Sequence, residues 1–197
     1  MRYFVILFVG LFFLVGCQPS PEELSLTEQN YKLAVENHDV DAALNALTYL
    51  AKFDSEYKRQ LAYTYIYEDS HRDIKKAMKL LQNLSDIGDA DAKEAIAGLY
   101  YEGKYVQQDY GAAASWYLDY LEHERDPDVL TRISMMQATG TGFFQDKFTA
   151  YFLAREAVNK KYVPAVLVMN EIFASMSVDE QYNVRQTIEN QKKSQRR

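Results

Sequence analysis

The 197-residue chain contains one cysteine, three histidines and one tryptophan, with only 8 glycines and 4 prolines. A single thiol excludes an intrachain disulfide framework. Sparse glycine and proline argue against an all-β protein, which needs both at its many turns. His38, His71 and His123 stand alone in sequence, without the i, i+4 partner or nearby cysteine of a helical zinc motif. Each falls at an expected helix end or turn, where a solvated or capping role suffices. There is no Gly-x-Ser-x-Gly elbow and no phosphate loop. The stretch TGTGFF at 139–144 lacks the third glycine and the preceding strand of a dinucleotide fingerprint, so it reads as a turn. No catalytic residue, metal or cofactor is expected. The formal charge is −6, which disfavours binding to a phosphate backbone, so no nucleic-acid partner is expected.

Hydrophobic residues make up 48% of the chain, enough for a packed core. The one long apolar run lies at the start. Arg2 followed by Tyr3 to Val15, broken only by Gly10, reads as the n-region and h-region of an export signal over residues 1–16. The run is shorter than the roughly 20 residues that a helix needs to span a bilayer. It ends in Leu14-Val15-Gly16-Cys17, which resembles the lipobox of bacterial lipoproteins. A thiolate can accept a diacylglyceryl group, and a small residue before it admits the peptidase. The resemblance implies that Cys17 becomes the lipidated first residue of the mature chain, with a charge of −7 once Arg2 is lost from the −6 total. Two or three acyl chains anchor firmly where one binds marginally. By the same resemblance, Gln18 rather than aspartate after the cysteine points to the periplasmic face of the outer membrane. Residues 17–25 then form a lipidated tether.

Beyond the tether, apolar residues recur at three and four positions, the helical spacing. Internal repetition is visible as well. Residues 96–117 align without gaps to 133–154: Ile96 with Ile133, Gly103 with Gly140, Gln108-Asp109 with Gln145-Asp146, Ala113 with Ala150. Pro127 matches Pro164 on the same offset. A copy at 61–81 fits with one residue fewer, keeping the Asp73-to-Ala77 spacing of four. In each unit a first helix ends in a turn, the loop Gly103-Lys104-Tyr105-Val106 in the middle copy, and an aspartate then caps a second helix. The second helix packs through Ala113, Trp116, Tyr117 and Tyr120. One hairpin cannot bury its own apolar face, so the units must stack into an all-α solenoid.

The pattern Ile96-Ala97-x-x-Tyr100-x-x-Gly103-x-x-Val106-x-x-Asp109-x-x-x-Ala113-x-x-Trp116-Tyr117 resembles the Sel-1-like repeat, a relative of the tetratricopeptide repeat. Ala97 and Ser134 replace its first glycine, Tyr105 the glycine before valine, Gln137 a tyrosine and Leu153 the tryptophan. The earliest copy has Glu68 at the turn but ends in Gly88. The resemblance spans roughly 56–175. It divides the chain into a degenerate helical pair at 26–55, repeats at 56–91, 92–128 and 129–165, and capping helices with a basic tail at 166–197. In the degenerate pair, Asp41, Ala42 and Ala43 echo the start of a second helix. At the other end, Ser177 to Glu180 has capping-box spacing and opens a polar helix over about 178–192.

Two features remain for function. Carboxylates cluster between repeats, at Asp86, Asp89 and Asp91 and at Glu122, Glu124, Asp126 and Asp128, and read as a solvated acidic edge. Tyr63, Tyr65 and Tyr67 alternate on one helix and cannot all face the core. Tyr65 takes the core place in the repeat pattern, leaving Tyr63 or Tyr67 nearer the surface, while Tyr101, Tyr105 and Tyr110 crowd the next turn. Tyr63, Tyr67, Tyr101, Tyr105 and Tyr110 are therefore the candidate partner-binding residues. The resemblance implies a non-catalytic scaffold lipoprotein with an envelope protein partner. The competing reading is a module that grips cell-wall fragments or inhibits a cell-wall hydrolase. Repeat relatives reported as hydrolases are rich in cysteine bridges, which this chain lacks.

Overall fold

The structure is a computed structural model that describes residues 18–195. Within them lie ten α-helices and no strand: α1 (Pro21–Glu36), α2 (Val40–Leu50), α3 (Ser55–Tyr67), α4 (Ile74–Asp86), α5 (Ala90–Glu102), α6 (Tyr110–Leu121), α7 (Pro127–Thr139), α8 (Lys147–Asn159), α9 (Pro164–Ala174) and α10 (Val178–Ser194). Helix α1 packs on α2, α3 on α4, α5 on α6 and α7 on α8, and each such pair also packs on the first helix of the next. The array is an α-solenoid. Cys17 lies outside the described residues.

What starts these helices is legible residue by residue. Every helix from α2 to α8 opens on an aspartate: Asp39, Asp54, Asp73, Asp89, Asp109, Asp126 and Asp146. Each carboxylate accepts a hydrogen bond from a first-turn N–H that has no partner inside the helix. In the three repeats the geometry recurs, with Lys76, Ala112 and Thr149 N–H groups donating at 3.0, 2.9 and 3.0 Å. Four residues after each cap stands Ala77, Ala113 or Ala150, fully buried. The backbone N–H of the same aspartates donates back to the first helix, to Tyr65, Tyr100 and Gln137 carbonyls. The aspartate thus stitches both helices of a pair. Replacing Asp109 by alanine is expected to cost about 1 kcal/mol, read as a lower urea midpoint. An unchanged midpoint would mean the cap is idle.

These caps take up seven of the chain's 28 acidic residues. Asp89 and Asp126, read above as part of a solvated edge, are caps, and Asp89, partly buried, also meets Arg59 at 2.9 Å. In the degenerate pair the cap is Asp39, not Asp41, with Ala43 at the spacing of four. Asp41 instead meets His71 at 2.8 Å. Residues 21–25, expected to belong to a tether, are helical. Ser20 caps α1, accepting from the Glu23 N–H at 3.1 Å, and Pro21 takes the first helical position, where its fixed φ costs nothing.

First helices end differently according to the residue available. Gly103 and Gly140 close α5 and α7 at φ of 63° and 79°, the left-handed region that glycine enters freely. Glu68, lacking that freedom, leaves α3 extended, and a short 3-10 turn at Asp69–His71 follows. At the far end, Ser177 and Glu180 form a reciprocal capping box and α10 continues to Ser194. Lys192 and Lys193 sit in its last turn, where cations complement the helix dipole.

Candidate functional site

The first helices of successive units, α3, α5, α7 and α9, share one side of the array, and the cavities between them open there. Between α3, α5 and α7 lies a cavity of about 200 Å³. Tyr63 and Tyr67 supply one wall, Arg132 of α7 the opposite wall, and Glu94, Ala95, Gly98, Leu99 and Glu102 of α5 lie between them. Further along, α7 and α9 enclose a second cavity of about 570 Å³ with Met135, Thr139, Lys147 and Glu171 in its lining.

The five candidate tyrosines form two groups. Tyr67, 63% exposed, packs its ring 6.3 Å from Tyr63 and edge-on, also 6.3 Å, to Tyr105. Tyr101 and Tyr110 form a separate edge-on pair at 5.6 Å. Tyr65 packs on the core clusters of both neighbouring units. The guanidinium of Arg72 lies 4.8 Å above the Tyr105 ring, and that of Arg132 lies 5.9 Å from both the Tyr101 and Tyr117 rings. Arg132 therefore links the cavity to the second tyrosine pair.

Sequence reasoning missed Glu94, Gly98, Glu102 and Arg132. The signal was present: Glu94, Gly98 and Glu102 recur every four residues, a helical stripe without an apolar side chain and with a glycine inside it. Gly98 is the informative member. A glycine inside a helix costs about 1 kcal/mol relative to alanine, and close helix packing would explain that cost. Yet a Cβ built on Gly98 meets no atom within 4 Å. Gly98→Ala is expected to stabilise the fold by about 1 kcal/mol, raising Tm by roughly 2–4 °C. A loss of stability would place an unseen packing constraint at this position.

Electrostatically the cavity is unbalanced. Arg132 is held by Asp128 at 3.1 Å. Glu94 and Glu102 form no ion pair among the described residues. Burial pushes the Glu94 carboxyl above its ordinary 4.5, Arg132 opposes this, and Asp128, Asp126 and Asp91 add to it. A carboxyl raised in the folded state destabilises the fold when ionised, and the penalty disappears below its unfolded pKa. Glu94→Gln is therefore expected to raise the urea midpoint at pH 7, and the advantage should vanish as the pH falls below about 4.5. Equal midpoints at pH 7 would contradict the assigned burial cost.

Arg59 clamps α3 to α5 next to this cavity, reaching Asp89 at 2.9 Å, Asp91 at 2.6 Å and Glu56 on its own helix. Behind it, Lys93 is buried and donates to Asp119 at 2.9 Å. His123 is not alone after all. It stands with Asp119 and Glu122, the ligand atoms of the three within 4.8 Å of one another. The signal in the sequence is a carboxylate, Asp119, four residues before the histidine. A cation there would compete with the Lys93 ammonium already bonded to Asp119, so the trio is a poor metal site. The fully buried Tyr117 hydroxyl has no hydrogen-bond partner among the described residues, and burial pushes its pKa up to about 12.

No family model and no curated protein matches the chain. Solved structures do. A protective antigen of uropathogenic Escherichia coli displaying an SLR fold superposes with a TM-score of 0.65 at 17% identity, over 87% of this chain and 41% of that one. A Sel1 repeat protein from Oxalobacter formigenes gives 0.63 at 17% identity, over 78% and 67%. Helicobacter pylori cysteine rich protein B gives 0.52 at 19% identity, over 66% and 96%. The chain spans about two fifths of the E. coli antigen's length. By helix order, repeated aspartate caps and these superpositions, the fold is a Sel1-repeat solenoid.

Proposed function

We propose that this chain is a periplasmic scaffold lipoprotein, held to the outer membrane through lipidated Cys17, whose solenoid receives an envelope protein along the face formed by α3, α5 and α7. The observation that carries the reading is the half-open cavity between those helices, walled by Tyr63 and Tyr67 and bordered by Tyr101 and Arg132. Tyrosine and arginine are enriched where proteins meet. Solenoids of stacked hairpins present extended surfaces of this kind. Among the described residues no helix is long and apolar enough to cross a membrane; the anchor in this proposal is the lipid on Cys17.

In-cell crosslinking of the native chain, followed by mass spectrometry, tests the reading, with Cys17→Ala as the control. One dominant envelope protein, captured with the native chain and lost with Cys17→Ala, is the expected result. No captured protein from either version would contradict the scaffold. The compactness of the cavity favours a second reading, a ligand-binding or inhibitory module for cell-wall fragments or a cell-wall hydrolase. In that case cell-wall material, or a hydrolase whose activity the chain lowers, would be recovered.

A further inference from the structure

We infer that the cavity between α3, α5 and α7 takes the cationic side chain of a lysine or arginine presented by a protein partner. This rests on the scaffold reading and names the chemistry of its contact. Two tyrosine rings attract a cation through their faces, and Glu94 and Glu102 offer carboxylates that form no ion pair among the described residues. The missing side chain at Gly98 opens the floor, and the space of about 200 Å³ suits one long side chain rather than a helix.

Arg132 is the feature that would favour an anion instead. It is already committed to Asp128 at 3.1 Å and lies near the rings of Tyr101 and Tyr117. Arg132 is paired with Asp128 and Asp91 with Arg59, so the carboxylates on the lining left without an ion pair are Glu94 and Glu102. A bound cation would give Glu94 the partner that the fold withholds.

The test is an NMR titration of the purified full-length chain with four capped amino acids: the Nα-acetyl methylamides of lysine, arginine, norleucine and glutamate. Lysine and arginine should shift the amides of Tyr63, Gly98 and Arg132 in the millimolar range expected for one side chain. Norleucine, the uncharged counterpart of lysine, should bind at least about tenfold more weakly. Gly98→Leu, which fills open space, should abolish the response while its circular dichroism spectrum stays that of the parent. Equal responses to lysine and norleucine, a stronger response to glutamate, or no shift at these residues would each overturn the inference. Capture of a partner protein together with any of those outcomes would leave the scaffold standing and remove only the cation site.

Discussion

Replacing Gly142 by alanine is expected to destabilise the fold by about 3 kcal/mol, far more than any other single-methyl addition considered above. Two costs combine. Gly142 sits at φ 73°, where a residue with a Cβ loses about 1–2 kcal/mol. The added Cβ would also lie 2.6 Å from the Tyr110 carbonyl carbon and 3.2 Å from the Tyr110 Cβ. Backbone cannot swing aside as a side chain does, so the whole turn at 140–145 would have to lift from the start of α6. Overpacking of this kind typically costs another 1–3 kcal/mol. The effect should be regional, because a stacked array couples each unit only to its neighbours. Hydrogen exchange should rise in α6, α7 and α8, with α1 to α3 nearly unchanged. A wild-type midpoint for Gly142→Ala would show that the turn does not seat on α6.

Truncating Leu81 to alanine is expected to cost about 2–5 kcal/mol. Leu81 is fully buried in the cluster that α3, α4 and α5 share, with Ala62, Ile66, Leu84 and Ile96 around it. The lost contacts bind one repeat to the next, so the cavity between α3 and α5 should loosen with them. Leu118 gives the control: it is half exposed on α6, and its replacement by alanine should stay within about 0.5 kcal/mol. Chemical denaturation of both variants checks the contrast, and similar midpoints would contradict the assigned core.

The unequal legibility of fold and site has a physical reason. Helix starts are local events, decided by an aspartate and the two or three N–H groups beyond it, and so Asp73, Asp109 and Asp146 with their alanines can be read along one line of sequence. The two closing glycines are local in the same sense. Where locality misled, the neighbouring residues explain it. Ser20-Pro21 looked like tether because proline often is, yet serine followed by proline is also a helix start. The cavity is not local. Tyr63 and Tyr67 come from α3, Glu94 and Gly98 from α5 and Arg132 from α7, and only the stacking of units brings them together. Aromatic content pointed to two of its members. The partnerless carboxylates became visible only once it was known which cations were already engaged, Arg59 with Asp89 and Lys93 with Asp119.

The measurement that bears most directly on the account is site-specific photocrosslinking in cells. A photoreactive residue would replace Tyr67 or Glu102 on the α3–α5–α7 face, and Lys79 or Leu118 on the second helices. All four positions are exposed. The account predicts one protein crosslinked from Tyr67 and Glu102 and absent from Lys79 and Leu118. The same protein captured only from Lys79 or Leu118, or no protein from any of the four, would contradict it.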